Sequence, residues 1–125
     1  MGRLAQKSKA RLNPLLPAET AGVGHLAKFF RALGDPTRLR LLEYLLGAEH
    51  TVSDCVAHVN LSQGRVSSHL ACLAQCGFVT VRRSGRFAYY RAVDERVADL
   101  VRLARGLASE NADALASCIR IDGAG

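Results

Sequence analysis

Two short helical patterns joined by a tight polar turn constrain the fold more than any other feature of the sequence. A helix is predicted over roughly 53–59 from its apolar spacing. After the turn Asn60-Leu61-Ser62, a second helix begins with Ser62 as its N-cap and runs through Cys76 until Gly77 stops it. Two short helices in this arrangement are typical of a helix-turn-helix.

Two β-rich runs follow these helices directly. Phe78–Arg82 and Arg86–Tyr90 are separated by Arg83-Ser84-Gly85, which predicts a hairpin with a basic tip. A helix-turn-helix followed by such a hairpin is a winged helix. The predicted fold class is therefore mainly α with a β-hairpin wing, a winged helix-turn-helix.

Further helical patterns flank this unit on both sides. One covers 18–33, and the next is opened by Asp35-Pro36 and ends at Gly47. A last helix starts near Asp94, and its apolar face consists of Val97, Leu100, Val101, Ala104 and Leu107. The outermost helices carry apolar stripes that find no partner in one chain, so we expect a symmetric homodimer.

The chain has 125 residues, which allows one domain of ordinary size. We predict a flexible basic arm over 1–17, a DNA-binding and dimerisation domain over 18–110, and a C-terminal segment over 111–125. No apolar run approaches the length of a membrane span, and the basic N-terminus lacks the apolar stretch of a secretory signal. We therefore expect a cytoplasmic protein with no membrane partner.

The charge distribution indicates a polyanionic partner. The net charge is +6, and no acidic residue occurs between Asp54 and Asp94. That interval holds five arginines, namely Arg65, Arg82, Arg83, Arg86 and Arg91. Such a stretch has no internal compensation, and its simplest partner is double-stranded DNA. The alternative is that these arginines pair with acidic residues elsewhere in the fold.

The start of the helix predicted from Ser62 to Cys76 carries the side chains expected to read DNA. At about 100° per residue, its apolar positions Val66, Leu70 and Leu73 share one face. The polar residues of its first two turns are the predicted base and phosphate contacts, namely Gln63, Arg65, Ser67, Ser68 and His69. In the wing, Arg82, Arg83 and Arg86 suit phosphates or the minor groove. The alternative is an ordinary capped surface helix.

Three of the four cysteines form the other candidate site. Cys72 and Cys76 are four residues apart, adjacent on the flank of the helix that also carries Arg65 and His69, and Cys118 is a distant third thiol. Thiolates favour soft ions such as Cd(II), Pb(II) and Hg(II), so these three cysteines are the predicted metal ligands. Cys55 occupies an apolar position and is expected in the core, with an additional ligand role left open. Simple packing is the alternative for the pair.

At this point the sequence resembles the ArsR/SmtB family of bacterial metal-responsive repressors over roughly residues 20–110. The stretches that carry the resemblance are 31–42 (RALGDPTRLRLL), 61–70 (LSQGRVSSHL), 73–79 (LAQCGFV) and 85–90 (GRFAYY). The resemblance implies a winged-helix homodimer that represses in its metal-free form and leaves DNA when an inducer binds.

Departures from the family patterns narrow the expected metal site. Thr51-Val52-Ser53 stands where one family site has Cys-Val-Cys, so both thiols of that site are missing. The zinc pattern of the last helix keeps Asp94 and Glu110 but has Arg96 and Leu107 at its two histidine positions. The remaining thiols, Cys72, Cys76 and Cys118, match the cadmium/lead sensor subgroup often called CmtR-like, and mercury-responsive repressors are the next resemblance.

Two other functions remain open from the sequence. In a redox switch, Cys76 would form a disulfide with Cys118 or Cys72, and pKa values lowered by the nearby His69 and Arg65 would favour this. A metal-buffering protein would need no DNA, but it leaves the acid-free basic stretch unexplained. No catalytic constellation or phosphate loop is present, so neither an enzyme nor an organic cofactor is expected.

Overall fold

The computed structural model describes residues 22–123, and contacts divide the chain after Val93 into two compact units. In chain order, the first unit contains α1 (Val23–Leu33), α2 (Pro36–Gly47), β1 (His50–Thr51), α3 (Val52–Val59), α4 (Gln63–Gln75), β2 (Thr80–Ser84) and β3 (Phe87–Arg91). The second contains α5 (Glu95–Glu110), α6 (Ala112–Ser117) and α7 (Ile119–Gly123). The predicted arm over 1–17 and residues 18–21 of the first predicted helix lie outside the described residues.

The helix-turn-helix is confirmed, and local capping explains its boundaries. Thr51 and Asp54 form a reciprocal capping box at the start of α3, with N···O distances of 3.2 and 3.0 Å. Asn60 ends α3 in the left-handed region, at φ 56°, which Asn tolerates better than most residues. The Ser62 hydroxyl then accepts from the Arg65 amide at 3.3 Å and opens α4.

The apolar stripe of α4 is the centre of the core. Val66, Leu70 and Leu73 are completely buried, as their spacing predicts. They pack in the same core as Leu41, Leu42 and Leu45 of α2, and the two helices are in direct contact. This packing determines which side of α4 remains at the surface.

The C-terminal end of α4 explains why the hairpin begins later than predicted. Gly77 has φ 84°, and its amide donates to the Ala74 carbonyl at 3.1 Å. The Phe78 amide donates to the Leu73 carbonyl at 2.9 Å. These two bonds form a Schellman motif, which brings Phe78 and Leu73 into the core together. Phe78 is therefore part of the helix end, and β2 starts only at Thr80.

The wing is a hairpin within a three-stranded sheet of order β1-β3-β2. Ser84 pairs with Phe87, so the two turn residues are Gly85 and Arg86. The predicted turn Arg83-Ser84-Gly85 is therefore wrong, because Arg83 and Ser84 belong to β2. Gly85 takes the positive φ of 62° that a two-residue hairpin turn needs. The short strand β1 was not predicted, because its two residues are too few for a β pattern; His50 pairs with Tyr90.

The second unit is helical. Asp94 caps α5 by accepting from the Arg96 amide at 2.9 Å, and the helix predicted from this position is confirmed. It ends at Glu110, and a new helix begins at Ala112. No helix within residues 22–123 is both long enough and apolar enough to cross a membrane.

Loss of the capping box is expected to destabilise the first unit. Thr51→Ala removes the acceptor for the Asp54 amide, which typically costs about 1 kcal/mol of unfolding free energy. Urea denaturation at a fixed protein concentration measures this change. Ser53→Ala, at an exposed position of the same helix, is the control, and equal stability of the two variants would contradict the role of the cap.

Candidate functional site: the exposed face of α4, the wing and the thiol pair

The first two turns of α4 present a polar surface opposite the buried stripe. The exposed residues there are Gln63, Arg65, Ser67 and Ser68, and His69 beside them is half-buried. The structure thus brings all five predicted DNA contacts of α4 onto one accessible end of one helix. The positive end of the helix dipole lies at the same place, which favours a phosphate.

The ring of His69 is held by an arginine from α2. The Arg38 guanidinium lies 3.3 Å from Nδ1 of His69 and also donates to the carbonyls of Ala32, at 2.7 Å, and Arg31, at 3.3 Å. Its own amide is capped by the Asp35 carboxylate at 3.0 Å. One side chain therefore connects α1, α2 and α4.

The three predicted wing arginines differ in their surroundings. Arg82 forms a bidentate ion pair with Glu49, at 3.0 and 2.9 Å, and its guanidinium lies 4.6 Å from the centre of the Tyr89 ring. Arg82 therefore has an acidic partner elsewhere in the fold, as the alternative interpretation expects, and its side chain remains exposed. Arg83 and Arg86 are exposed and form no ion pair with any residue of 22–123.

Cys72 and Cys76 are neighbours at the end of α4, four residues apart and close enough that Cys72 influences the titration of Cys76. Cys72 is half-buried, and Cys76, the C-cap residue, is exposed. Partial burial is the largest cause that raises the pKa of the Cys76 thiol, and the neighbouring Cys72 raises it further. The positive charges of Lys28 and Arg38 oppose this rise without cancelling it. The expectation of a lowered pKa is therefore wrong for Cys76.

An open cavity of about 610 Å³ lies beside Cys76, between α1 and the last turn of α4. Its lining consists of His25, Leu26, Lys28, Phe29, Gln75 and Cys76. The exposed thiol is thus reachable from solvent through this cavity.

The other two cysteines lie in different settings. Cys55 is completely buried in α3, and this burial raises the pKa of its thiol to about 11. Its place is the core, as expected, and its shielding from solvent argues against the additional ligand role that the sequence left open. Cys118 belongs to the second unit, where it caps the end of α6 and is half-buried.

The paired thiols suit a soft metal ion. Two neighbouring thiols on one helix can bind one soft ion once both have lost their protons. No group of three or more His, Cys, Asp or Glu side chains positioned to hold a metal occurs within residues 22–123. Ions that accept two sulfur ligands fit the pair as it stands, and ions that need three require a further donor.

Comparison with known proteins places the chain in a family. Residues 35–81 match the family model described as bacterial regulatory protein, arsR family. The probable mercury resistance operon repressor of Streptomyces lividans is 57% identical over 99 residues, which is 79% of each chain. The chain belongs to the ArsR family of bacterial regulatory proteins. It is a transcription regulator of that family rather than an enzyme.

Two further relatives extend the comparison. The HTH-type transcriptional regulator CmtR of Mycobacterium tuberculosis is 41% identical over 73 residues, 58% of this chain and 62% of CmtR. The homodimeric winged helix-turn-helix DNA-binding domain of Mb0332 from Mycobacterium bovis, a possible ArsR-family regulator, has a TM-score of 0.64 at 28% identity. That match covers 75% of this chain and 92% of the other. The winged helix fold is thereby confirmed.

Two residues of the site escaped sequence reasoning. Glu49 precedes the acid-free interval, and nothing local indicates that it pairs with Arg82. Arg38 carries a weak signal: it lies in the first turn of α2, where a positive charge opposes the helix dipole and needs compensation from outside that helix.

The thiols are expected to differ in reactivity. Iodoacetamide at pH 8 should alkylate Cys76 more than about tenfold faster than Cys55, because a pKa near 11 leaves Cys55 almost without thiolate and burial blocks access. The rate at Cys76 should rise with pH as its thiolate fraction grows. Peptide mass spectrometry gives both rates, denatured protein is the control, and equal rates in the folded protein would contradict the assignment.

Proposed function

We propose that this chain is a metal-responsive transcriptional repressor. It binds double-stranded operator DNA as a metal-free homodimer and leaves the DNA when a soft divalent ion binds cysteine thiolates. The observation that carries the proposal is the thiol pair Cys72 and Cys76 at one end of the helix whose other end presents the predicted DNA contacts. As a regulator of bacterial genes it acts in the cytoplasm, without an organic cofactor.

DNA binding is supported by exposure and charge. Gln63 and Arg65 are residue types that pair with adenine and guanine in the major groove, and both are exposed on α4. Ser67, Ser68 and His69 complete this surface. Arg83 and Arg86 extend it through the wing to phosphates or the minor groove, whereas Arg82 already has an acidic partner.

Dimerisation is supported by apolar side chains at the surface of each unit. In α1, Val23, Leu26 and Phe30 are 83%, 50% and 52% exposed. In α5, Leu103 and Leu107 are 66% and 53% exposed. A second copy that covers such faces would remove them from water, and two copies would match the two half-sites of a palindromic operator.

Cys72 and Cys76 are the proposed primary ligands, and Cys118, of the same or the partner subunit, is the proposed third. Bound to them, the ion supplies a bridge between thiolates. Hg(II) heads the proposed inducers, ahead of Cd(II) and Pb(II), because it needs as few as two thiolates and the Streptomyces lividans relative is named for mercury resistance.

Release follows from linkage between the two ends of α4. Cys72 and Cys76 give up their protons on binding, and recruitment of Cys118 to them would reorient α4 relative to its copy in the partner subunit. Half-site spacing would then no longer fit the operator. A hundredfold preference of the ion for the DNA-free form corresponds to about 2.7 kcal/mol, within the usual range of allosteric coupling.

Neither alternative accounts for the site as well. A redox switch gains from an easily ionised thiol, whereas the pKa of Cys76 is raised. A metal buffer gives no role to the exposed arginines of the wing.

The wing is expected to contribute through phosphate contact. Arg86→Ala should reduce the slope of log affinity against log salt by about 1, because each phosphate contact releases counterions. Fluorescence anisotropy with labelled operator-like DNA between low and moderate salt measures the slope. Arg102→Ala removes the same charge from α5, where Arg102 pairs with Asp99, and should leave the slope unchanged. Identical slopes for both variants would exclude the wing contact.

Release of DNA upon metal binding is expected to depend on three thiols. In reduced, anaerobic protein, Hg(II) should weaken operator binding about a hundredfold and produce sulfur-to-metal absorption, and zinc should do little. Cys72→Ser or Cys76→Ser should abolish release, and Cys118→Ser should reduce it. Cys55→Ala is the matched control that keeps release intact. DNA that stays bound with every soft metal would refute metal sensing, and normal release from Cys118→Ser would refute the third ligand.

A further inference from the structure

Arg38 lies where three helices meet and has a bonding pattern that the proposed function leaves unused. Its guanidinium donates to the Ala32 and Arg31 carbonyls at the end of α1 and reaches His69 on α4, while its amide belongs to the first turn of α2. The other arginine of α2 that forms a side-chain hydrogen bond, Arg40, donates to the His58 carbonyl of α3 instead.

The placement of Arg38 has a physical reason. A positive side chain in the first turn of α2 opposes the dipole of its own helix. The last carbonyls of α1 are unsatisfied within that helix and carry its negative end, so they compensate the guanidinium. Two acceptors from α1 therefore fix the direction in which the remaining N–H groups point.

The contact with His69 determines how that ring meets its surroundings. An arginine only donates, so Nδ1 of His69 is the acceptor at 3.3 Å. In the neutral ring the proton then lies on Nε2. The ring is thus restrained at Nδ1 while Nε2–H keeps its donor capacity, and His69 as a whole is only half-buried.

We propose that Arg38 is a positioning residue for operator recognition. It holds the His69 ring in one orientation and one tautomer, with Nε2–H available as a donor to a base acceptor, and it acts through His69 without touching DNA. Its guanidinium is already engaged by two carbonyls and a ring nitrogen, which leaves it poorly suited to be a phosphate contact itself. The inference rests on the proposed function, because α4 must be the helix that reads DNA.

The first test needs no DNA. In metal-free protein labelled with 15N, the imidazole shifts of His69 should report a proton on Nε2 in the wild type. In Arg38→Lys, a point charge replaces the planar fork, and a mixture of tautomers is expected. A ring already mixed in the wild type, or unchanged in Arg38→Lys, overturns the proposal.

The second test separates positioning from direct contact and from simple stability. Arg38→Gln and Arg38→Lys should weaken operator binding about tenfold but leave the affinity for unrelated DNA and the salt slope unchanged. Arg40→Gln is the matched control: Arg40 lies on the same helix and donates only to the His58 carbonyl of α3, and this variant should bind like the wild type. Arg38→Gln added to His69→Ala should cause no further loss, because both act through one ring.

The remaining outcomes are distinct. A salt slope reduced by about 1 in the Arg38 variants would assign Arg38 to the phosphate contacts and overturn positioning. Equal losses on operator and unrelated DNA, or losses that add to those of His69→Ala, would mean a merely structural role. If Arg38→Gln does not fold, Arg38→Lys decides. A wild-type protein that binds no operator would refute the proposed function, whereas operator binding unaffected by Arg38→Lys would refute this inference alone.

Discussion

The burial of one apolar stripe on α4 is the interaction on which the rest of the site depends. Val66, Leu70 and Leu73 are fully removed from water, and each contributes roughly 1.5–3 kcal/mol by burial. Because a helix is rigid, fixing this face against α2 also fixes the opposite one. The polar side chains at the start of α4 and the thiols at its end are therefore held on the same element.

This common element is what makes a sensor physically plausible. The ends of α4 are about 18 Å apart, because about 12 steps of 1.5 Å separate the first and the last of its 13 residues. A change imposed on the last turn therefore does not touch DNA directly, and only a shift of the whole helix can transmit it. The contact between Arg38 and His69 lies between the two ends and would be strained by such a shift. Linkage then requires that DNA also weaken metal binding by the same factor.

The sequence predicted what is determined locally. Ser62, the Thr51 and Asp54 pair, and Gly77 act within a few residues, so the helices of the helix-turn-helix were found to within one or two positions. The buried stripe followed from helical periodicity alone. The hairpin begins later in the chain than predicted, because Phe78 belongs to the Schellman motif that ends α4 and the first strand starts only after it. A run of apolar residues does not reveal this detail. The ligand and DNA-contact assignments remain predictions, supported by placement on one helix.

What sequence reasoning missed depends on residues far apart in the chain. Arg82 and Glu49 are 33 positions apart and Arg38 and His69 are 31 apart, and their pairing exists only after the sheet and the helices have packed. The ion pair is exposed and contributes little to stability, but it removes one arginine from the charge that the acid-free interval offers to DNA. The unpaired positive charge of that interval is therefore smaller than the sequence suggests. The arginines that carry it include Arg65 on α4 and Arg83 and Arg86 in the wing, the two elements with which a winged helix meets DNA.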